Sequence, residues 1–417
     1  MNQNIKLAPV SGRVRIPASK SMMQRACAAA LLHNGDTAIY NYGVSEDDQA
    51  ALQVIQQLGA RVTPQQDHLL VSGKGTVQPA EHIDCGESGL SARLFTPIAA
   101  LSPAPVSITG RGSLLRRPMN VLGAVLPQLG VHMPEFDGHL PFTLQGPLQP
   151  RSIGIDGSLS SQFISGILFA LSHAAREAVV LEVTNLASKP YIDLSLEVLA
   201  HFGKAITHDA YERFYIPPAI DHSDNISYTV EGDWSSAAFW IAAAAISGSL
   251  VLQGLKEHSL QADRRLLDII GSCGARYEWV QGALHIHKGE LHAFNYDATD
   301  APDLFPVLAI LAACCNGDSS ISGLQRLVHK ESNRAGSISI LLESLGVAYR
   351  ISGDTLHITG SHSFRSCTVD SHHDHRMVMA AALASLRCPD GIKITGAEAI
   401  GKSYPAFFTD LEPFLSR

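Results

Sequence analysis

The pattern of apolar and polar positions repeats along the chain on a scale larger than a single helix or strand. Helix-like apolar patterns end at a glycine followed by a short strand-like run about every 72 residues, at Gly59, Gly130, Gly203, Gly274 and Gly346. Glycine suits the left-handed residue that closes a helix. The constant interval predicts a fold built from repeated units.

Two further patterns keep the same interval. Strand-like runs recur at 69–71, 142–144, 214–216, 284–286 and 356–358. Segments rich in Ala and Leu, apolar nearly all round, start near Lys20, Ser88, Ser161, Ser235, Asp303 and His375. A helix that is apolar on every side is a buried helix. Each unit is therefore predicted to run strand, buried helix, strand, amphipathic helix, strand, strand.

Six such units predict an α/β fold with helices inside and sheets outside, three units in each of two domains. The length of 417 residues also favours two domains. The alternative is an ordinary doubly wound α/β protein, which would not need the constant interval.

Composition restricts the class of protein. The net charge of −8 argues against nucleic acid as the main partner, because binding to phosphate backbones needs clustered positive charge. Seven cysteines without a CxxC pair suggest neither a disulfide framework nor a zinc ribbon. The first ten residues lack an apolar signal core, and no long apolar stretch is uninterrupted. We expect a cytoplasmic enzyme that does not bind membranes.

Cationic side chains stand at or just before the predicted helix starts: Lys20, Arg117, Lys189, Arg334, Arg376 and Lys402. A cation there is unfavourable by roughly 0.3–1 kcal/mol, because the helix N-terminus carries partial positive charge. Bound anions would explain the repeated choice, since phosphate or carboxylate is stabilised by both the dipole and the cations. The alternative is that each is a solvated surface charge.

Polar and acidic side chains accompany these cations. Ser160, Ser161 and Gln162 form a cluster that suits phosphate oxygens as well as helix capping. Asp303 stands at the start of a buried helix, and Glu331 lies three residues before Arg334. Neighbouring cations can set the protonation state of a carboxylate, so both acids are candidates for acid–base catalysis. Capping and ion pairing are the alternatives.

The run from His372 to Arg376 invites a metal site, but no second cluster with ligand spacing is present and the arginine would repel a cation. The run therefore does not predict a metal site.

Motifs in order through nearly the whole chain resemble the EPSP synthases (3-phosphoshikimate 1-carboxyvinyltransferases). They are Ser19-Lys20-Ser21 with Arg25, Arg117-Pro118, the segments 156–162, 188–193, 230–233, 330–334 and 374–377, and Lys402. The resemblance implies transfer of the enolpyruvyl group of phosphoenolpyruvate (PEP) to the 5-hydroxyl of shikimate 3-phosphate by addition and elimination, without a metal or organic cofactor. It also implies a monomer with an inside-out α/β barrel in each of two domains, 19–230 and 1–18 plus 231–417, and an active site in the cleft between them.

The resemblance also implies the roles of individual residues. Shikimate 3-phosphate would contact Lys20, Ser21, Arg25, Ser160, Ser161, Gln162, Ser188, Tyr191, Asp303 and Lys330. PEP would be surrounded by Lys20, Gly89, Arg117, Gln162, Arg334, Arg376 and Lys402. Asp303 would be the base for the 5-hydroxyl, and Glu331 and Lys20 would carry protons at the PEP carbon.

Three positions depart from the family pattern. Glu87-Ser88-Gly89-Leu90 stands where Asn-Ala-Gly-Thr is usual, which leaves PEP and glyphosate affinity open. Asn333 replaces a common aspartate, and Ala18 a common glycine. None of these changes removes a residue to which the resemblance gives a catalytic role.

Two other functions compete with this one. The sister enzyme that transfers enolpyruvyl to UDP-N-acetylglucosamine usually has a reactive cysteine before its Arg-Pro, and residues 110–117 contain none. A non-catalytic, clamp-like binding protein built from repeats is disfavoured by the negative charge and by the carboxylate at the start of a buried helix.

Overall fold

The structure, a computed structural model, describes residues 1–220, 223–328 and 330–416. The chain divides into two compact units. We call Ala18–Glu231 the middle unit, and Met1–Pro17 together with Gly232–Arg417 the terminal unit. In the described part of the chain, no helix is long and apolar enough to cross a membrane.

Helices and strands alternate through both units. The helices are α1 (Lys20–Leu32), α2 (Glu46–Gln57), α3 (Gly89–Ala99), α4 (Asn120–Val125), α5 (Ser161–Ala174), α6 (Pro190–His201), α7 (Trp234–Ser247), α8 (Leu266–Ser272), α9 (Phe305–Ala313), α10 (Arg334–Leu345), α11 (His375–Ala384) and α12 (Phe407–Leu411). The strands are β1 (Asn2–Ile5), β2 (Ser11–Arg15), β3 (Asn34–Tyr40), β4 (Arg61–Pro64), β5 (His68–Lys74), β6 (His82–Asp84), β7 (Pro105–Thr109), β8 (Phe142–Gln145), β9 (Ile153–Asp156), β10 (Val179–Thr184), β11 (Thr207–Asp209), β12 (Arg213–Ile216), β13 (Ile226–Thr229), β14 (Ser249–Gln253), β15 (Arg276–Val280), β16 (Ala283–His287), β17 (Asn295–Asp297), β18 (Asp318–Ser322), β19 (Tyr349–Ser352), β20 (Thr355–Thr359), β21 (Cys367–Asp370) and β22 (Ile392–Thr395).

The strands form six sheets of three or four strands that follow one plan. The sheet β9-β10-β12-β11 illustrates it: β9 and β10 are parallel and joined through α5, whereas β12 pairs antiparallel with β10 and with β11. Parallel neighbours need a crossover connection, which the buried helix supplies. The predicted repeat of strand, helix, strand, helix and two strands is confirmed, and each unit is an inside-out α/β arrangement of three such repeats.

Two sheets take a strand from a distant part of the chain. In the middle unit, β13 at 226–229 pairs in parallel with β3, in the sheet β13-β3-β5-β4. In the terminal unit, β2 pairs in parallel with β14, and β1 pairs antiparallel with β22. The first 17 residues are therefore structural parts of sheets whose other strands lie more than 200 residues later.

The first helix of each repeat is buried on all sides, as its composition predicts. Every residue of α9 is buried, and so are all residues of α7 except Ser235 and Ser247. Alanine makes this possible, because small side chains let neighbouring helices and sheets approach from every direction. The cores of the two units contain six of these helices: α1, α3, α5, α7, α9 and α11. Candidate residues lie at or near the N-termini of several of them.

The five periodic glycines all follow helices and all have positive φ, between 72° and 106°, so this prediction is confirmed. At Gly346 the backbone is left-handed, and its N–H donates to the carbonyl oxygens of Leu342 and Glu343. A side chain at this position would be strained by the backbone and would press on the guanidinium of Arg365.

The second and sixth repeats are shorter than the pattern predicts. In the second, α4 continues into a 3₁₀ turn at Leu126–Leu129, and one strand is reduced to a single bridge between His132 and Gln145. In the sixth, the sheet β21-β22-β1 has three strands and α12 spans only Phe407–Leu411.

Candidate active site

The start of α1 in the middle unit places Lys20 and Ser21 in the first turn of a buried helix. Lys20 Nζ lies 2.8 Å from Asp47 Oδ2, which belongs to the first turn of α2. The Ser19 side chain makes no capping hydrogen bond, and the first turn of α1 contains no acid. The acidic partner Asp47 therefore belongs to a different helix from Lys20.

Arg25 connects α1 to α6 and is fully buried. Its guanidinium donates to the Ser195 hydroxyl at 2.9 Å, to the Ser21 carbonyl at 2.8 Å and to the Tyr191 carbonyl at 3.0 Å. Burial lowers the pKa of Arg25 to about 10, so the group remains charged at neutral pH. The predicted residues Ser21, Arg25 and Tyr191 are thus brought together, but through the backbone carbonyls of Ser21 and Tyr191.

The N-terminus of α3 lies directly against Arg117. A Cβ added to Gly89 would overlap the Arg117 Nη1 atom, so glycine is needed for this approach. Arg117 is buried and follows the 3₁₀ turn at Gly112–Arg116, three residues before α4 begins. Glu87 belongs to the segment that departs from the family pattern. Its carboxylate lies against Gly112, where the positive φ and this close contact both favour glycine.

The serines of segment 160–162 have different local roles. Ser160 is the N-cap of α5 and accepts from the Gln162 backbone N–H at 3.3 Å. Gln162 Oε1 accepts from Arg93 Nη1 at 2.9 Å, and Arg93 also donates to the Pro118 carbonyl at 3.2 Å. Ser161 is buried at the first position of α5. Sequence reasoning missed Arg93, because its segment contains no motif.

Ser188 is one of few non-glycine residues with a left-handed backbone, at φ 59°. It is buried and directly precedes Lys189, which is the N-cap of α6. A conformation of this kind costs about 1–3 kcal/mol and is concentrated at functional sites. The strain therefore supports the prediction that Ser188 has a role beyond capping.

Asp303 is the centre of the cluster in the terminal unit. It lies in the 3₁₀ turn Pro302–Leu304 before α9, and its carboxylate contacts three cations: Arg334 Nη1 at 3.0 Å, Arg376 Nη2 at 2.9 Å and Lys330 Nζ at 3.5 Å. Burial raises the pKa of Asp303, but the charges of Arg376, Lys330 and Arg334 outweigh burial and hold the pKa well below its usual range. The group is a carboxylate at neutral pH.

Arg334, the first residue of α10, is fully buried among three acids. It donates to Asp374 at 2.9 Å, to Glu331 at 2.5 Å and to Asp303. Burial lowers the pKa of Arg334, and the three carboxylates, Asp374 most strongly, raise it above its usual value. Asp374 is the N-cap of α11 and has no exposed side-chain surface, and the sequence motif did not reveal this supporting role.

The remaining two cations of the terminal unit differ in position. Arg376 lies in the first turn of α11, as predicted. For Lys402 the prediction of a helix start is wrong: it is the last residue of the 3₁₀ turn Ala397–Lys402, five residues before α12. Its buried ammonium group donates to the His373 carbonyl at 3.0 Å.

No metal cluster forms around the histidine run in the described ranges. No group of three or more His, Cys, Asp or Glu side chains is placed to hold an ion. His372 and His373 are exposed and left-handed, whereas His375 is buried in α11.

The fold of repeated βαβαββ units is that of the enolpyruvyl transferases. The enolpyruvyl transferase NikO from Streptomyces tendae shares it, with a TM-score of 0.77 at 17% identity over 99% of this chain and 97% of that one. EPSP synthase from Acinetobacter baumannii has a TM-score of 0.82 at 25% identity, over 99% of this chain and 98% of that one.

Sequence comparison identifies the family. The profile of EPSP synthase (3-phosphoshikimate 1-carboxyvinyltransferase) matches residues 5–411. A 3-phosphoshikimate 1-carboxyvinyltransferase from Clostridium novyi is 33% identical over 98% of this chain and 97% of its own length. One from Clostridium perfringens is 34% identical over 97% and 96%. The chain belongs to the EPSP synthase family.

Proposed function

We propose that this protein transfers the carboxyvinyl group of PEP to the 5-hydroxyl of shikimate 3-phosphate and releases phosphate. Family membership supports the reaction. The observation that carries it is the Asp303 carboxylate, held by three cations at the start of a buried helix. A carboxylate within an excess of cations suits a reaction in which a base must work beside anionic substrates.

Shikimate 3-phosphate is proposed to bind mainly to the middle unit. Its phosphate is assigned to the helix starts that present hydroxyl groups, where backbone N–H groups and the helix dipole favour anions. The residues proposed for this substrate are Lys20, Ser21, Arg25, Ser160, Ser161, Gln162, Ser188 and Tyr191, with Asp303 and Lys330 from the terminal unit. Arg25 contributes as a buried charge that orders the carbonyl groups of Ser21 and Tyr191.

PEP is proposed to bind the cations of both units: Lys20 and Arg117, with Gly89 and Gln162, and Arg334, Arg376 and Lys402. The close approach of Arg117 to Gly89 supports this assignment, because it combines a guanidinium with the N–H groups of the α3 N-terminus. Arg334 and Arg376 are shared with Asp303 and can also attract a substrate carboxylate.

The proposed chemistry is an addition followed by an elimination. The 5-hydroxyl loses its proton to Asp303 and adds to C2 of PEP, while C3 gains a proton from Glu331 or Lys20. Phosphate then leaves from C2 as C3 returns a proton, which restores the carbon–carbon double bond. Asp303 alone is a weak base because of its three cations, but a bound PEP anion would share Arg334 and Arg376 and so raise its proton affinity.

The test is phosphate release from PEP with each of two acceptors. Release with shikimate 3-phosphate, and none with UDP-N-acetylglucosamine, is the expected result. Phosphate release with the UDP-sugar alone would show that the UDP-sugar, and not shikimate 3-phosphate, is the acceptor. No release with either acceptor would favour a non-catalytic binding protein. We also propose a monomer, as the resemblance to the family implies, and light scattering coupled to size-exclusion chromatography would test it.

A further inference from the structure

Asp47 is a buried acid to which neither the sequence motifs nor the proposed mechanism gives a role. It lies in the first turn of α2 with 9% of its surface exposed. Its Oδ2 atom is 2.8 Å from Lys20 Nζ, and the two side chains are only 13% and 16% exposed. Exposed ion pairs contribute little, but a largely buried pair is screened much less by water and salt.

Helix α2 does not need Asp47 for its own stability. Ser45 and Asp48 form a complete capping box: the Asp48 carboxylate accepts from the Ser45 backbone N–H at 3.1 Å, and the Ser45 hydroxyl accepts from the Asp48 backbone N–H at 3.3 Å. The first turn also contains Glu46, which is exposed and can interact with the helix dipole from solvent. A third acid, turned inward, therefore needs another explanation.

The direction of Asp47 is fixed by its neighbours. The capping box holds the first turn of α2, and Gly43 lies so close to the Asp48 carboxylate that a Cβ there would overlap it. Successive helical residues point about 100° apart, so fixing Asp48 on one side directs Asp47 to another, toward the start of α1. The Asp47 carboxylate is thus a preset partner for Lys20.

Lys20 benefits from such a partner. It opens α1, where the dipole disfavours a cation, and no acid of that helix compensates. A lysine side chain also loses rotamer freedom when it is fixed. If a fixed carboxylate holds the ammonium group before substrate binds, that cost is met during folding and not during catalysis.

We propose that Asp47 is a positioning residue for Lys20 in enolpyruvyl transfer. The inference rests on the proposed function, in which Lys20 binds substrate anions and carries a proton. Asp47 itself contacts no substrate in this proposal. It holds the Lys20 ammonium group in place before substrate binds.

The test compares Asp47→Asn with Glu46→Gln. The two variants lose one carboxylate each from the same helical turn, so the loss of dipole stabilisation is matched and only Asp47→Asn removes the partner of Lys20. We expect Asp47→Asn to lower kcat/KM for PEP by about 10- to 100-fold, as for a misplaced catalytic group, and Glu46→Gln to leave it within about twofold. Asp47→Glu, which keeps the charge, should recover part of the loss.

Thermal unfolding separates positioning from folding. A lower melting temperature is expected for Asp47→Asn than for Glu46→Gln, because it breaks a largely buried ion pair, so kinetics are measured well below both melting temperatures. Equal kcat/KM values for the two folded variants would overturn the proposal. If Asp47→Asn fails to fold, Asp47→Glu still tests it, because a longer side chain shifts the ammonium group and should change kcat and KM without removing charge. Lys20→Gln tests the proposed function separately: unchanged turnover in that variant would reject the role of Lys20 itself.

Discussion

The middle and terminal units are built from the same repeat, yet they surround their cations differently. In the middle unit, Arg25 donates to carbonyl and hydroxyl groups, and Arg93 to an amide and a carbonyl oxygen. In the terminal unit, Arg334 and Arg376 donate to carboxylates. Neutral partners leave the positive charge available to a ligand. Carboxylates neutralise that charge, and the cations in turn influence the protonation state of the carboxylates. Within the proposed function, the first arrangement suits anion binding, and the second combines anion binding by Arg334 and Arg376 with proton transfer at Asp303.

The largest expected effect follows from Asp303→Asn, which keeps the shape of the side chain and removes its basicity. We expect kcat to fall by about 10²–10⁴-fold, the usual contribution of a general base. The matched control is Asp390→Asn, an exposed acid of the same unit. Steady-state kinetics with shikimate 3-phosphate and PEP measure both variants. Equal, small effects would mean that the carboxylates of the terminal unit only neutralise charge.

A direct comparison of the two kinds of partner uses Arg334→Gln and Arg25→Gln. Loss of Arg334 leaves the fully buried Asp374 without its guanidinium partner and removes one cation from Glu331 and from Asp303, so we expect about 3–5 kcal/mol of destabilisation. Loss of Arg25 leaves neutral acceptors and should cost about 1–3 kcal/mol. Denaturant midpoints at constant m-value report the difference. A larger loss for Arg25→Gln would contradict the contrast between the units.

Asp263 allows a pH test in the terminal unit. Burial raises its pKa to about 7, and its Oδ1 has no hydrogen-bond partner among the described residues. The folded state therefore holds a proton that the unfolded chain releases near pH 4, so this group makes stability fall as pH rises from about 4 to 7.

Asp263→Asn removes this dependence. Relative to the native protein, the free energy of unfolding of the variant should rise across that pH range by about 1–4 kcal/mol, at about 1.36 kcal/mol per unit of pKa. Asp268→Asn, an exposed neighbour, should show no such trend. Denaturant unfolding at pH 5 and pH 8 measures both. The same slope in the native protein and in Asp263→Asn would disprove the assignment.

The smallest expected effect is that of Gly89→Ala in the middle unit. The new methyl group would displace Arg117, so we expect KM for PEP to rise about tenfold, or about 1.4 kcal/mol, with a smaller change in kcat. Gly154→Ala is the control, because a Cβ there meets no atom within 4 Å. If both variants bind PEP equally well, Arg117 does not need the close approach.

Much of the fold could be predicted because it depends on local patterns. A helix that is apolar on all sides must be buried wherever it lies, and a glycine at a helix end relieves a local steric conflict. The starts of the six buried helices were therefore predicted to within about two residues. Lys402 was misplaced because a 3₁₀ turn leaves no periodic pattern long enough to separate it from a helix start.

Within the candidate site, the sequence pointed to cations, hydroxyl groups and acids by their positions relative to helix starts. It could not show which acid faces which cation. Asp47 and Glu46 are adjacent acids in the same helical turn, yet one is buried against Lys20 and the other is exposed. Nothing in their order along the chain distinguishes them, because the difference depends on where α1 lies relative to α2.

The sequence by itself determined the repeat, the six buried helices and the kinds of charged group that begin them, since these follow from short-range periodicity and backbone sterics. Only the tertiary structure decided that β2 completes the sheet of β14 while β13 completes that of β3, and that Arg334 gathers Asp303, Glu331 and Asp374. Strand pairing and ion pairing join residues far apart in the chain, and their partners are chosen by packing in three dimensions.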